Sequence, residues 1–170
     1  LLKALKAGKE TADTITIAAA YDVLSYLYEL QGNIPEAAKI RYDYLKVIEH
    51  SGDKNAIVHA TAQLALNYKD LGNNQEAMKY FKQGLQPAKE AGDKVEETFF
   101  HSNIADLYIA SGNFTEAMNH YTAALQLAYQ FKDVPVLADI HHGMGNLYQA
   151  KGNYTEALNY YLFAAGEFKS

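Results

Sequence analysis

Apolar residues recur along the chain three and four positions apart, which is the spacing of one helix face, rather than in the alternation of a strand. Leu64, Ala65 and Tyr68 share such a face, and equivalent residues return forty positions later at 104, 105 and 108. The pattern predicts an all-α protein with helices of about eighteen residues, roughly 27 Å long. Pro87, inside one of these helices, predicts a kink or an early helix end.

One sequence motif recurs four times at an interval of forty residues. It reads GNIPEAAKIR, GNNQEAMKYF, GNFTEAMNHY and GNYTEALNYY. A fixed period of this size is typical of repeat proteins, in which each unit buries its apolar face against the next. We expect a single array over 1–170, within a longer protein, that comprises the tail of a truncated preceding repeat at 1–12 and repeats at 13–52, 53–92, 93–132 and 133–170.

The junctions between helices have capping patterns. Asn113 and Glu116 form an Asn-x-x-Glu capping box, in which the asparagine accepts from an orphan helix N–H and the glutamate reaches back to cap the first residue. Gly112 suits the left-handed residue that ends the preceding helix. We therefore expect almost no loop between consecutive helices, which fold back on each other as antiparallel pairs. Capping pairs at the other junction are Ala12-Asp13, Gly52-Asp53, Gly92-Asp93 and Lys132-Asp133.

The repeated residues resemble the tetratricopeptide repeat, whose pattern is Trp-x2-Leu-Gly-x2-Tyr followed by Ala-x3-Phe. The fourth repeat matches it with Met144, Gly145 and Tyr148, and then with Ala157 and Tyr161. The second and third repeats match at the same positions. The forty-residue period is similar to the long-helix subgroup found in kinesin light chains, cell-polarity adaptors and bacterial peptide-sensing regulators. HEAT and armadillo arrays are the alternative at this length, but this spacing is not theirs.

Some positions depart from the family pattern. Arg41 stands where the first repeat should have an aromatic residue, and Tyr44 stands where a small residue is expected. The column of the family's large aromatic residue contains His101 and His141, which we predict to be packing residues. No repeat has Trp, and none has the family's closing proline in register.

The resemblance implies a right-handed α-α superhelix, or solenoid, in which the first helix of each pair lines a concave groove. It further implies a non-catalytic, cytoplasmic scaffold that binds a protein or peptide there. The groove columns vary from repeat to repeat, as expected if they bind a non-repetitive ligand, although solvent-facing columns also drift freely. The expected partner-binding residues are Asp22, Tyr26, Glu29, His59, Gln63, Lys69, Phe99, Asn103, Asp106, Asp139, His142, Asn146 and Gln149.

Charge narrows the choice of partner. The net charge of −5 argues against nucleic acid and, more weakly, against an anionic membrane surface. Acidic groove candidates outnumber Lys69, which favours a basic or polar peptide. No apolar run is long enough to span a membrane, and the zero cysteines exclude thiol chemistry.

Catalysis has little support in the sequence. Asp139 and His142 lie one helical turn apart and Asp106 lies on a neighbouring helix, but groups on a solvated helix face are more often simply solvated. No phosphate-binding loop or nucleophile motif is present. We therefore expect no enzyme activity, no cofactor and no metal.

Two binding functions stay open. The first is a scaffold that docks a partner, and the second is a peptide-sensing domain that controls an attached effector, such as a transcription regulator, kinase or cyclase. What lies beyond Leu1 and Ser170 would distinguish them. Apolar edges at both ends of the segment favour end-to-end self-association.

Overall fold

The computed structural model describes residues 14–49 and 51–167. These ranges contain eight helices and no strand, which confirms the all-α prediction. The predicted repeat tail at 1–12 and the cap at Asp13 lie outside the described residues. The helices are α1 (Thr14–Leu30), α2 (Ile34–Ile48), α3 (Lys54–Asp70), α4 (Asn74–Ala91), α5 (Lys94–Ala110), α6 (Phe114–Phe131), α7 (Val134–Ala150) and α8 (Tyr154–Glu167).

The chain divides into two compact units, Leu1–Ala91 and Gly92–Ser170. In the first unit, α1 packs against α2 and α3 against α4, and α2 also contacts α3. In the second unit, α5 packs against α6 and α7 against α8, while α7 contacts both α5 and α6. Over residues 14–49 and 51–167, each unit contains two consecutive helix pairs. The individual repeat boundaries stay a prediction.

The junction at Gly112 shows how the local sequence ends one helix and begins the next. Gly112 has a left-handed φ of 76°, and its N–H donates to the Ile109 carbonyl at 2.9 Å, while the N–H of Asn113 donates to the Tyr108 carbonyl at 2.8 Å. This is a Schellman ending. The Asn113 side chain then accepts from the N–H of Glu116 at 3.4 Å. The capping box predicts that the Glu116 side chain accepts from the backbone N–H of Asn113. That N–H instead donates to the Tyr108 carbonyl of the preceding helix.

Small residues let the paired helices approach closely. Ala105 and Ala117, which face each other in the repeat pattern, are both fully buried. Gly145 takes the place of Ala105 in the next repeat, and a Cβ added there would lie 2.4 Å from a ring carbon of Tyr161. A larger residue would force the helices of this pair apart, because the space is already filled.

The repeated tyrosines of the first helices pack on rings of the second helices. Tyr68 stacks on Tyr80 with ring centroids 5.4 Å apart, and Tyr148 stacks on Tyr160 at 5.3 Å. His141 is buried, with 7% of its surface exposed, which confirms its predicted packing role. These ring contacts hold the two helices of a pair together, and the rings come from equivalent positions of the repeats.

Pro87 does not end its helix early, so of the two predicted effects the early helix end is wrong, and the kink stays a prediction. The helix α4 continues through Pro87 to Ala91. Proline removes one backbone donor, but the next residue, Ala88, is completely buried. The packing of that last turn therefore outweighs the loss of one hydrogen bond.

Candidate ligand cavity of the second unit

A cavity of about 480 Å³ opens between α5 and α7 in the second unit. This volume lies in the range of small-molecule pockets, about 300–1,000 Å³. Six of the predicted partner-binding residues line it: Phe99, Asn103, Asp106, Asp139, His142 and Asn146.

The repeat register brings these side chains together. Residues 99, 102, 103 and 106 form one face of α5 because they are spaced three and four apart. The equivalent face of α7 begins forty residues later, at Asp139. Since α5 and α7 are the first helices of consecutive pairs and contact each other, the two faces form opposite walls of one cavity.

Several lining residues are absent from the sequence prediction. Val95 and Val136 extend the two walls by one turn. Val95 lies four residues before Phe99 and Val136 lies three before Asp139, so the helical spacing could have predicted both. Tyr121 is different, because it belongs to the packing stripe of the second helix, α6, and only the tertiary structure places its hydroxyl at the cavity. The lining residues that the predicted partner-binding set does not contain are Val95, Glu96, Thr98, Ser102, Tyr121, Val136, Ile140 and Gly143.

Tyr121 connects the core to the cavity wall. Its side chain is almost fully buried, with 1% exposed, and its hydroxyl donates a short hydrogen bond to Oδ1 of Asp106. Burial, the charge of Asp106 and this hydrogen bond all raise the pKa of Tyr121 well above its ordinary value. The phenol therefore keeps its proton at physiological pH and acts as a permanent donor to the carboxylate.

The two asparagines differ in their exposure. Asn103 is buried, with 9% exposed, and its Nδ2 donates to the Phe99 carbonyl at 3.0 Å. Asn146 is exposed, and its Oδ1 lies 2.8 Å from the Tyr161 hydroxyl. That hydroxyl also lies 2.6 Å from Oε1 of Gln149. The single Tyr161 proton can be donated to only one of these two amide oxygens at a time, whereas Asn103 is part of the helix packing.

The acidic candidates of the first unit are in an internal network. Glu29 accepts two hydrogen bonds of 3.0 Å from the buried guanidinium of Arg41 and one of 2.7 Å from Nδ2 of Asn67. Burial favours a higher pKa for Glu29, but the hydrogen bonds from Arg41 and Asn67 and the charge of Arg41 outweigh it, and the pKa is lowered. Asp22 lies 3.7 Å from Nη1 of the same arginine.

The other candidates of the first unit are dispersed. Tyr26 is exposed, at 55%, as is His59, and Gln63 and Lys69 are half-buried. A smaller cavity of about 330 Å³ in this unit contains none of the predicted residues. This smaller cavity is lined by Ala18, Ala19, Tyr44, Ile48, Ser51, Asp53 and Ala56. The binding roles predicted for Tyr26, His59, Gln63 and Lys69 stay predictions.

The cavity of the second unit combines apolar walls with acidic groups. Its carboxylates come from Glu96, Asp106 and Asp139, and its lining includes no lysine or arginine.

Within residues 14–49 and 51–167, no group of three or more His, Cys, Asp or Glu side chains has the arrangement of a metal site. Over the same described ranges, no helix has the length and hydropathy that a membrane span requires.

Consecutive helix pairs with a repeated Gly-Asn junction define this chain as a helical-repeat protein. Two family models, both described as tetratricopeptide repeat, match residues 97–162 and 58–86. Together they cover more than half of the chain. The chain belongs to the tetratricopeptide repeat family, as its resemblance predicts. No curated protein sequence matches it significantly.

Solved structures share the fold at low sequence identity. BtubC (BKLC) from P. vanneervenii is 19% identical with a TM-score of 0.82, and the match covers 92% of this chain and 65% of that one. A signal transduction ATPase with a tetratricopeptide repeat sensor from Pyrococcus horikoshii is 22% identical, with a TM-score of 0.82 and coverages of 98% and 26%. A Rap protein complexed with competence and sporulation factor is 19% identical, with a TM-score of 0.77 and coverages of 92% and 43%. The chain thus spans less than two thirds of each of these structures.

Proposed function

We propose that this chain is a non-catalytic scaffold segment that binds a peptide or an extended protein segment, with the cavity between α5 and α7 as its binding site. The observation that carries this proposal is that one cavity gathers apolar, amide and carboxylate side chains from two adjacent repeats. Binding sites for peptides combine apolar contact area with a few polar groups that fix orientation.

The chemistry of the lining favours a partner with apolar and basic or polar side chains. Val95, Phe99, Val136 and Ile140 provide apolar contact area, and the amide of Asn146 can bond to a peptide backbone. The acidic groups attract a positive charge and disfavour a negative one. Neutral or basic peptides should therefore bind better than acidic peptides.

A peptide-sensing regulatory domain is the second candidate function. The support for it comes from the structural neighbours, one of which is a Rap protein complexed with competence and sporulation factor and another a signal transduction ATPase with a tetratricopeptide repeat sensor. In this version, ligand binding in the cavity would alter the activity of an attached effector. A change in effector activity on addition of a bound peptide would support the sensor over the scaffold.

The test is a phage-displayed library of random dodecapeptides panned against the purified chain. We expect the chain to enrich a set of related peptides, and we expect Phe99→Ala to abolish most of that enrichment because Phe99 lines the cavity. The matched control is Phe163→Ala in the same unit, since Phe163 is 59% exposed and lies outside the cavity lining. Circular dichroism checks that both variants remain helical.

Two results would contradict the proposal. One is the absence of any enrichment by the folded chain, and the other is enrichment that Phe99→Ala leaves unchanged. The cytoplasmic location is also a proposal, and recovery of the protein from the extracellular fraction of its host would contradict it.

A further inference from the structure

Gly143 provides the space that the end of the Tyr121 side chain occupies. It is buried in the middle of α7, and a Cβ added to it would lie 2.3 Å from the Tyr121 hydroxyl oxygen and 2.6 Å from the ring carbon that bears it. Any side chain at Gly143 would therefore displace the hydroxyl. A glycine in one repeat thus permits a tyrosine in the preceding repeat.

The combination is specific to these two repeats. The position of Gly143 is occupied by Val23, Gln63 and Asn103 in the other repeats. The position of Tyr121 is occupied in the second repeat by Phe81, which has no hydroxyl. Packing of the repeat therefore does not by itself require a glycine and a tyrosine at these columns.

The Tyr121 hydroxyl has one consequence at the cavity, which is the position of Asp106. Because the ring is almost completely buried, its hydroxyl is a fixed donor, and its bond to Oδ1 of Asp106 restricts the rotation of that carboxylate. Asp106 lines the cavity together with the acidic residues Glu96 and Asp139, and the lining includes no lysine or arginine. A rigidly held carboxylate binds a cation at a lower entropic cost than a mobile one.

We propose that Gly143 and Tyr121 are positioning residues that hold Asp106 as the recognition carboxylate for a guanidinium or ammonium side chain of the bound peptide. The proposal rests on the proposed function, since it requires the cavity to be the peptide site. It adds the chemical group that is recognised and the two residues that make the recognition selective.

The experiment uses two synthetic peptides as probes, acetyl-Gly-Leu-Arg-Leu-Gly-amide and the same peptide with citrulline, which is neutral and nearly isosteric, in place of arginine. Binding to the isotopically labelled chain is measured by chemical-shift titration. A charge-assisted hydrogen bond contributes about 1.5–3 kcal/mol, so we expect the arginine peptide to bind at least about tenfold more tightly.

The variants separate positioning from simple packing. Asp106→Asn should abolish the preference for arginine over citrulline, and Tyr121→Phe should reduce it to about threefold or less, since the carboxylate then lacks the fixed donor that Tyr121 provides. Gly143→Ala should have the same effect as Tyr121→Phe because it displaces the hydroxyl. Glu156→Gln, an exposed carboxylate outside the cavity, should leave the preference unchanged.

Each outcome decides between the two proposals. If the chain enriches peptides from the library but does not prefer arginine over citrulline, this inference is wrong and the proposed function stands. If Tyr121→Phe weakens both peptides equally, Tyr121 has a structural role only and the positioning proposal is wrong. If neither the library nor the synthetic peptides bind, the proposed function itself fails. Should Gly143→Ala not fold, Tyr121→Phe and Asp106→Asn still provide the test.

Discussion

Arg41 and Tyr121 occupy the same column of the repeat, and the structure uses them differently. In the first unit, the Arg41 guanidinium is buried and donates two hydrogen bonds to Glu29. In the second unit, the Tyr121 hydroxyl donates to Asp106, which lines the cavity. Both side chains come from the second helix of a pair and hold a carboxylate of the first helix.

The difference lies in what the carboxylate does next. Glu29 also accepts from Asn67 of α3 at 2.7 Å, so its oxygens join α1, α2 and α3 within the first unit. Asp106 instead faces a cavity of about 480 Å³. One column of a repeat can therefore stabilise the helix packing in one unit and form part of a candidate binding site in another.

The largest expected effect is that of breaking the network around Arg41. Arg41→Met should lower the free energy of unfolding by about 3 kcal/mol, because it leaves Glu29 without the cation that compensates its partial burial. Denaturation by urea, followed by circular dichroism, measures the loss. The matched control replaces all three polar partners with residues that other repeats have in the same columns, in the variant Glu29→Ile, Arg41→Phe and Asn67→Leu. This triple variant should be nearly as stable as the original, and equal losses in both variants would show that the ion pair is not the cause.

The pH dependence of the same network should separate the two units further. The pKa of Glu29 is lowered below the ordinary 4.5, so its contribution to stability is present above about pH 4.5 and is lost as the pH falls through the lowered value. The difference in unfolding free energy between the original chain and Glu29→Gln should be largest near neutral pH and should shrink below about pH 4.5. A difference that does not change with pH would mean that the charge of Glu29 contributes nothing.

A smaller loss is expected at the equivalent column of the second unit. Tyr121→Phe should lower the unfolding free energy by about 1.5 kcal/mol, the lower part of the range for a hydrogen bond to a charged group, because Asp106 is only half-buried and water can replace the donor. Thermal and urea denaturation check this value. A loss as large as that of Arg41→Met would contradict the difference in role between this column in the first unit and in the second.

The smallest effect should come from the junctions between repeats. The first unit has Gly52 at this junction with φ 75°, whereas the second has Lys132 in the left-handed region with φ 53°. Lys132→Gly should raise the unfolding free energy by about 1 kcal/mol, since a left-handed conformation is costly for a residue with a Cβ. Gly112→Ala, which places a Cβ on another left-handed residue, is the opposite control and should be destabilising. No gain from Lys132→Gly would mean that unfolded-chain entropy offsets the strain.

The helices, their junctions and most of one candidate site could be predicted because they depend on local spacing. Gly112 and Asn113 specify a helix ending and a helix start within a few residues. Likewise, the columns through Phe99 and Asp139 follow from the repeat period, and the structure places both residues at one cavity. The early helix end that the sequence allows at Pro87 is not observed, because the helix continues to Ala91 and Ala88 is buried despite the proline's lack of a backbone donor.

The sequence alone determined that this chain is a series of helix pairs in the tetratricopeptide repeat family, because capping, helical periodicity and the fixed repeat act between neighbouring residues. Only the tertiary structure decided which polar side chains meet. Arg41 reaches a carboxylate 12 residues away and Asn67 reaches the same carboxylate from 38 residues away, distances in sequence at which no local pattern specifies a partner. The place of Tyr121 beside Gly143 also depends on how closely α6 and α7 pack, and close packing is a property of the folded core as a whole.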